Sequence, residues 1–200
     1  MPQEEKVTTD TNSKKPNRYC GKVFAHPSFA DLCAKFPEIK IIYDYFIEYW
    51  RNGPHPSLGK DSLFNRPSTA RESHVRHSHV NVGKYEAEGS ENYRGTEEHW
   101  NKWLDILAAN DSGEWKNKHS YFKAPTSDAF LVYSVNERRD AIVLDFIPDG
   151  SHRITERPSL MEFYTQAVFT HTTSKGMKPF PIDDHPFDEK YLTVNQISPD

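Results

Sequence analysis

The sequence predicts an α+β fold, a small antiparallel sheet packed against helices. Two patterns carry that expectation. Ile39, Ile42, Tyr43, Phe46, Ile47 and Trp50 recur at steps of three and four, the apolar stripe of a core-facing helix. Farther on, residues 129–135 and 140–147 are apolar runs separated by Asn136-Glu137-Arg138-Arg139, which predicts an antiparallel hairpin buried on at least one face. Helical patterns precede, interrupt and follow the strands, so the sheet is expected to be covered on one side.

Taken in order, residues 1–18 are polar, with Val7 as the large apolar residue after Met1, and residues 1–24 read as a polar tail or linker. A short extended segment is expected over residues 19–25. Ser28 is placed to cap a short helix over residues 29–36, which Pro37 stops. The apolar stripe makes residues 38–52 a second helix, ended by Arg51, Gly53 and Pro54. Residues 53–70 are rich in Gly, Pro, Ser and Asn and read as an ordered loop. Residues 73–80, Ser-His-Val-Arg-His-Ser-His-Val, read as a strand.

Thr96 with Glu97 and Glu98 opens a third helix to about residue 109, with Trp100, Trp103, Leu104 and Leu107 on its apolar face. It belongs to an inserted helical segment over residues 83–123. A loop over residues 114–126 is expected to be anchored by Tyr121 and Phe122. Pro148-Asp149-Gly150-Ser151 turns the chain after the hairpin. Pro158 starts a fourth helix to about residue 169, with Leu160, Phe163, Tyr164 and Ala167 inward. Residues 171–200 are rich in Pro, Asp and Lys and read as an irregular arm. The core domain is therefore expected over residues 25–170.

Two hundred residues can bury a substantial core. No apolar run approaches the ~20 residues of a membrane span, and no signal-peptide core precedes residue 18. Cys20 and Cys33 are expected to be free thiols. A net charge of −4 argues against nucleic-acid binding driven by overall charge. Locally the balance reverses. Between Arg51 and Val80 the cations Arg51, Lys60, Arg66, Arg71 and Arg76 face only Asp61 and Glu72.

The chemistry concentrates in the His-rich strand. Strand alternation points His77 and His79 to one face, with Val75. Beside the hairpin, the strand would assemble a site from Arg71 or Arg76, His77, His79, Tyr133, His152 and Arg153. There is no dinucleotide or Walker loop, no H-E-x-x-H, no serine elbow and no carboxylate-rich cage, so no cofactor is expected. Imidazole, guanidinium and phenol suit metal-free RNA cleavage, in which a base takes the 2′-OH proton, an acid protonates the 5′-oxygen and cations hold the phosphorane. The same residues suit a zinc-dependent hydrolase with His77 and His79 as ligands and His74 or His152 as a third. A solvated His-rich face, or a non-enzymatic RNA- or protein-binding module, stands beside both. Tyr133 could equally pack its ring in the core. His99, His119, His171 and His185 fall in segments read as surface.

Four ordered pieces resemble the YafO toxins of bacterial type II toxin–antitoxin systems. They are Phe46-Ile47-x-Tyr49-x-Arg51-Asn52-Gly53 with Pro56 and Gly59-Lys60-Asp61-Ser62-Leu63-Phe64; Val75-x-His77-x-His79; Asp128-Ala129-Phe130-Leu131-Val132-Tyr133; and Pro148 with His152-Arg153. The resemblance implies a RelE- and barnase-like toxin architecture. It implies an endoribonuclease (mRNA interferase) that cuts translated messages at the ribosome and inhibits translation and growth, with mRNA, the ribosome and a cognate antitoxin or immunity protein as partners and no membrane. It carries over His77, His79, Tyr133 and His152 as polar positions and Lys60, Asp61 and Arg153 as charged ones. On that basis His77 or His79 is expected as base and His152 as acid, with Arg76 and Arg153 on the phosphate. The long polar start, the inserted helix and the terminal arm depart from the family pattern. They fit delivery into another cell as part of a larger toxin as well as a stand-alone protein acting in the cytoplasm.

Overall fold

The computed structural model describes residues 18–65, 68–72, 74–87, 95–109 and 124–193. The expectations for Tyr121, Phe122, Arg66 and His119 lie outside them. The fold is α+β, and its centre is a five-stranded sheet in the order β2-β6-β5-β4-β3. The strands are β2 (Val23–Ala25), β3 (Leu58–Leu63), β4 (Arg76–Val80), β5 (Phe130–Val135) and β6 (Ala141–Ile147). Four of these pair antiparallel, while β2 runs parallel to β6, with Val23 opposite Ala141 and Ala25 opposite Val143.

Both faces are covered, not one. In β5 every residue is buried, and in β6 all but Asp145 are, the continuous apolar pattern of strands enclosed from both sides. On one face lie α1 (Pro27–Lys35) and α2 (Pro37–Asn52), whose Phe29, Phe46, Tyr49 and Trp50 pack on Leu131, Tyr133, Val135 and Val143. On the other lies a long C-terminal helix whose Met161, Tyr164, Ala167 and Val168 pack on Phe130, Val132, Ile142 and Leu144. Fully burying a large apolar side chain contributes about 2 kcal/mol, so the two layers supply most of the driving force.

The predicted elements largely form. Helix α2 matches the apolar stripe and ends at Gly53, whose φ of 98° terminates it. Helix α1 starts two residues earlier than expected, at Pro27, and Ser28 binds the His26 ring (2.8 Å) instead of capping. A short helix α3 (Ser68–Glu72) precedes β4. In α4 (Glu97–Ala109) the Thr96 hydroxyl accepts from the His99 amide at 3.2 Å, an N-cap bond, and Trp100 and Trp103 are buried in a separate small cluster with Ala124. After the hairpin come α5 (Ser151–Ile154) and α6 (Pro158–His171), the helix on the second face.

Further sequence expectations are corrected. Residues 58–63 are a strand, not part of a loop. In α6 Leu160, Tyr164 and Ala167 face inward as expected and are joined by Met161 and Val168, while Phe163 is 40% exposed and meets His26 edge to face at 5.5 Å. His171 closes that inner row and is buried.

The two ends of the described chain meet. β1 (Arg18–Tyr19) pairs antiparallel with β7 (Leu192–Thr193), and Phe180 and Phe187 of the last segment are buried in the α1/α2 core. Arg139 pins this region. It is fully buried, donates to the Cys20, Trp50 and Pro186 carbonyls, and stacks 4.1 Å above the Trp50 ring. Residues 172–193, read from composition as an arm, thus contribute side chains to the core.

Candidate active site

The two faces of β4 divide the expected site. His77 and His79 point to the α6 side, where they line an open cleft of about 1220 Å³. β3 adds Lys60 and Ser62 to its wall, and α5 adds His152 and Arg153 just past the end of β6. Of the residues expected from sequence, the fold brings His77, His79, His152, Lys60 and Arg153 together. Arg71 is exposed on α3 and is not among the residues lining the cleft.

Arg76 and Tyr133 face the other way. Cross-strand pairing sets Arg76 opposite Tyr133, and both lie under α2, where Arg76 binds Asp61 at 2.9 Å. The Asp61 carboxylate also accepts from the Tyr49 hydroxyl at 3.1 Å and from the Tyr133 hydroxyl. Burial works against the Arg76 charge, but Asp61 outweighs it and raises the guanidinium above its usual value. Burial and the Asp61 charge hold the Tyr133 phenol well above its ordinary range, so it stays protonated. This is a buried ion pair behind the histidines, out of reach of the cleft. The structure does not bring these two residues to the histidine face, because adjacent strand residues point to opposite faces.

The three imidazoles have different environments. The His77 ring lies 4.1 Å from the Phe130 ring and 4.4 Å from that of Phe64. Its Nε2 is 3.3 Å from the Ser62 hydroxyl, and its Nδ1 is buried without a partner. Burial pushes it well below its ordinary value, and His79, His152, Arg76 and Lys60 push the same way. It is neutral. His79 is lowered to about 4, by burial first, although its contact with the Ser127 backbone favours the charged form. Its Nδ1 sits 2.7 Å from the Ser127 carbonyl and 2.9 Å from the Ser127 amide, and the tautomer decides which is bonded. His152 is the most accessible of the three, with 32% of its side chain exposed. Its ring centroid is 6.0 Å from that of His79.

Asp128 organises His152, and sequence reasoning left it out of the site. Its Oδ1 lies 2.9 Å from His152 Nδ1 and accepts from the His152 amide (3.2 Å) and the Ser151 hydroxyl (3.0 Å), while Oδ2 accepts from the Gly150 amide (3.0 Å). Burial raises this carboxyl, but those donors outweigh it and hold it below its usual value. The carboxylate therefore fixes the orientation of the ring. The segment bearing Ser127 and Asp128 reaches the histidines because it lies against β3. The Lys60 amide donates to the Pro125 carbonyl at 2.8 Å. A Cβ on Gly59 would stand 2.1 Å from that carbonyl oxygen, so only glycine admits the approach. The signal for Asp128 in the sequence was weak: it opens the Asp-Ala-Phe-Leu-Val-Tyr piece of the resemblance, but nothing there ties it to His152.

Residues 47–171 match the family model for Toxin YafO, type II toxin-antitoxin system. That span is more than half of the chain and contains β3, β4, the hairpin and α5, every element that lines the cleft. The chain belongs to the YafO toxin family. Membership makes it the toxin of a type II toxin–antitoxin system and implies a cognate antitoxin as partner. No curated protein and no solved structure matches the chain. Among the described residues, no group of three or more His, Cys, Asp and Glu side chains is arranged to hold a metal ion. None of the described helices is long and apolar enough to cross a membrane. The segment that carries Phe180 and Phe187 into the core lies outside the matched span.

Proposed function

We propose that the toxin is a metal-independent endoribonuclease that cuts mRNA in association with the ribosome, and that the histidine cleft is its active site. The observation that supports this most is a neutral imidazole, His79, facing an accessible one, His152, whose Nδ1 is held by a carboxylate. One base and one acid are what transesterification of RNA requires. His79 Nε2 takes the proton from the 2′-OH, the 2′-oxygen attacks phosphorus, and the bond from phosphorus to the 5′-oxygen breaks. His152 gives its proton to that oxygen. The products are a 2′,3′-cyclic phosphate and a 5′-hydroxyl. Lys60 and Arg153 line the same cleft and supply positive charge for the phosphorane. An arriving phosphate favours the protonated form of a nearby imidazole, so substrate itself strengthens His79 as a base.

Ribosome association fits the electrostatics. The cleft lining carries Asp128, Asp149 and Glu156 as well as its two cations, and the whole chain is at −4. Free RNA gains little from such a surface. A message already held on ribosomal RNA does not need the enzyme to attract it. The deciding experiment is induced expression followed by mapping of mRNA 5′ ends and their chemistry. New 5′-hydroxyl ends in translated regions are expected from the parent protein and are expected to vanish in His79→Ala and His152→Ala. Unchanged ends in the parent, or parental levels of cutting in either variant, would sink the proposal.

A further inference from the structure

Proton transfer at His79 and His152 leaves His77 without a task, and its surroundings suggest one. The ring is 8% exposed and packs against Phe64 and Phe130, so protein encloses it on most sides. Burial keeps it uncharged, and a neutral imidazole carries one ring proton, on Nδ1 or on Nε2. Nδ1 is buried with no hydrogen-bond partner among the described residues, whereas Nε2 lies 3.3 Å from the Ser62 hydroxyl. A buried N–H without an acceptor is rarer in folded proteins than a buried acceptor short of a donor, so the proton belongs on Nε2 and is donated to Ser62 Oγ. The hydroxyl has one proton of its own, and that proton then has to point away from His77. Among the described residues the hydroxyl has no other partner. Ser62 sits directly opposite His77 in the β3–β4 register, and residues so paired share a sheet face. Its side chain is partly exposed and lines the cleft with Lys60 and Arg153. The His77 and His79 ring centroids are 5.2 Å apart, so Ser62 stands one imidazole away from the proposed base.

We propose that the Ser62 hydroxyl donates a hydrogen bond to a non-bridging oxygen of the scissile phosphate, and that His77 is the positioning residue that turns the hydroxyl proton toward it. This deepens the ribonuclease proposal and rests on it. The two histidines of the His-x-His pair then have separate duties: His79 moves a proton and His77 orients a donor. A donor already aimed at the phosphate needs no reorganisation as charge builds on the phosphorane.

The tautomer is read first, without turnover, from the ring nitrogen resonances of His77 in the full-length toxin at neutral pH and their long-range couplings to the ring protons. A protonated Nε2 and a bare Nδ1 are expected. The reverse, or a charged ring, overturns the proposal. Single-turnover cutting of a ribosome-bound message is then compared among variants. Ser62→Ala is expected to slow it about tenfold or more, the loss of one hydrogen bond to a charged group, and Ser62→Thr, which keeps the hydroxyl, to restore most of the rate. His77→Phe keeps a ring between the same neighbours and is expected to slow cutting less than Ser62→Ala does. The double variant is expected to be no slower than Ser62→Ala alone, because His77 acts only through Ser62. Losses that multiply in the double variant overturn the positioning role. Cutting by Ser62→Ala at the parental rate overturns the donor and leaves the ribonuclease proposal standing. Absence of cutting by the parent overturns both.

Discussion

Asp128 and His152 lie 24 residues apart in sequence and meet at 2.9 Å, carboxylate Oδ1 to ring Nδ1, across the end of the β5–β6 hairpin. The bond orients the one imidazole of the cleft with substantial exposure, and the same carboxylate caps the start of α5. Catalytic and structural consequences can therefore be separated by one substitution. Asp128→Asn keeps an acceptor oxygen and the shape. It is expected to cost about 1 kcal/mol of stability through the weakened cap and to lower RNA cleavage at least tenfold. Chemical denaturation and primer extension read the two effects. A fully active Asn variant would remove Asp128 from any positioning role.

On the opposite face, the Tyr133 hydroxyl donates to the buried Asp61 carboxylate beside Arg76. Tyr133→Phe is expected to destabilise the fold by about 1–2 kcal/mol, the cost of a lost bond to a buried charge, with cutting unchanged within twofold once the protein is folded. Asp61→Ala strands the Arg76 charge and is expected to cost about 3–5 kcal/mol. A large loss of cutting in stably folded Tyr133→Phe would show that the phenol acts on substrate.

Much of this arrangement was legible in the sequence. The α2 stripe, the hairpin and the His-rich strand all declare themselves by periodicity. Strand alternation also placed Arg76 and His77 on opposite faces, so one of the two belonged outside the cleft from the start. The face of Tyr133 was not legible, because it depends on which residue of β4 it pairs with. β3 was missed for a physical reason: Leu58-Gly59-Lys60-Asp61-Ser62-Leu63 sends Lys60 and Ser62 into a polar cleft and Asp61 into a buried ion pair. No apolar alternation survives those duties. Asp128 was invisible because nothing local pairs it with His152.

The burial of Arg139 has a measurable reach. Its guanidinium joins the carbonyls of Cys20, Trp50 and Pro186, tying the segment after β1, the end of α2 and the last described segment to one another. No carboxylate takes part in these bonds. Arg139→Met removes the donors and leaves the buried Trp50 and Pro186 carbonyls short of a partner, each costing about 1–3 kcal/mol, and the part-buried Cys20 carbonyl loses its bond as well. Residues 172–193 should then be cut by protease much faster than in the parent, while the β3–β5 cleft keeps its amide exchange protection. Unaltered proteolysis would show that Phe180 and Phe187 hold the segment without the guanidinium.

Stability should also report on the buried imidazoles. His79 is lowered to about 4 in the fold, whereas an imidazole in the unfolded chain titrates near ~6.5. As pH falls below about 6.5 the unfolded chain takes up a proton that the folded chain refuses. Stability that is complete above that value is therefore lost as pH drops toward 4. Between pH 7 and pH 5 this one group should remove on the order of 2 kcal/mol, and His77, depressed by the same burial, adds a loss of the same sign. Urea unfolding of the parent and of His79→Phe at the two pH values tests the assignment. The parent is expected to lose stability on acidification, and the variant to lose distinctly less, whatever its absolute stability. The same steep loss in both would mean that His79 is not held neutral in the fold, and the case for it as the base of the cleft would fall with it.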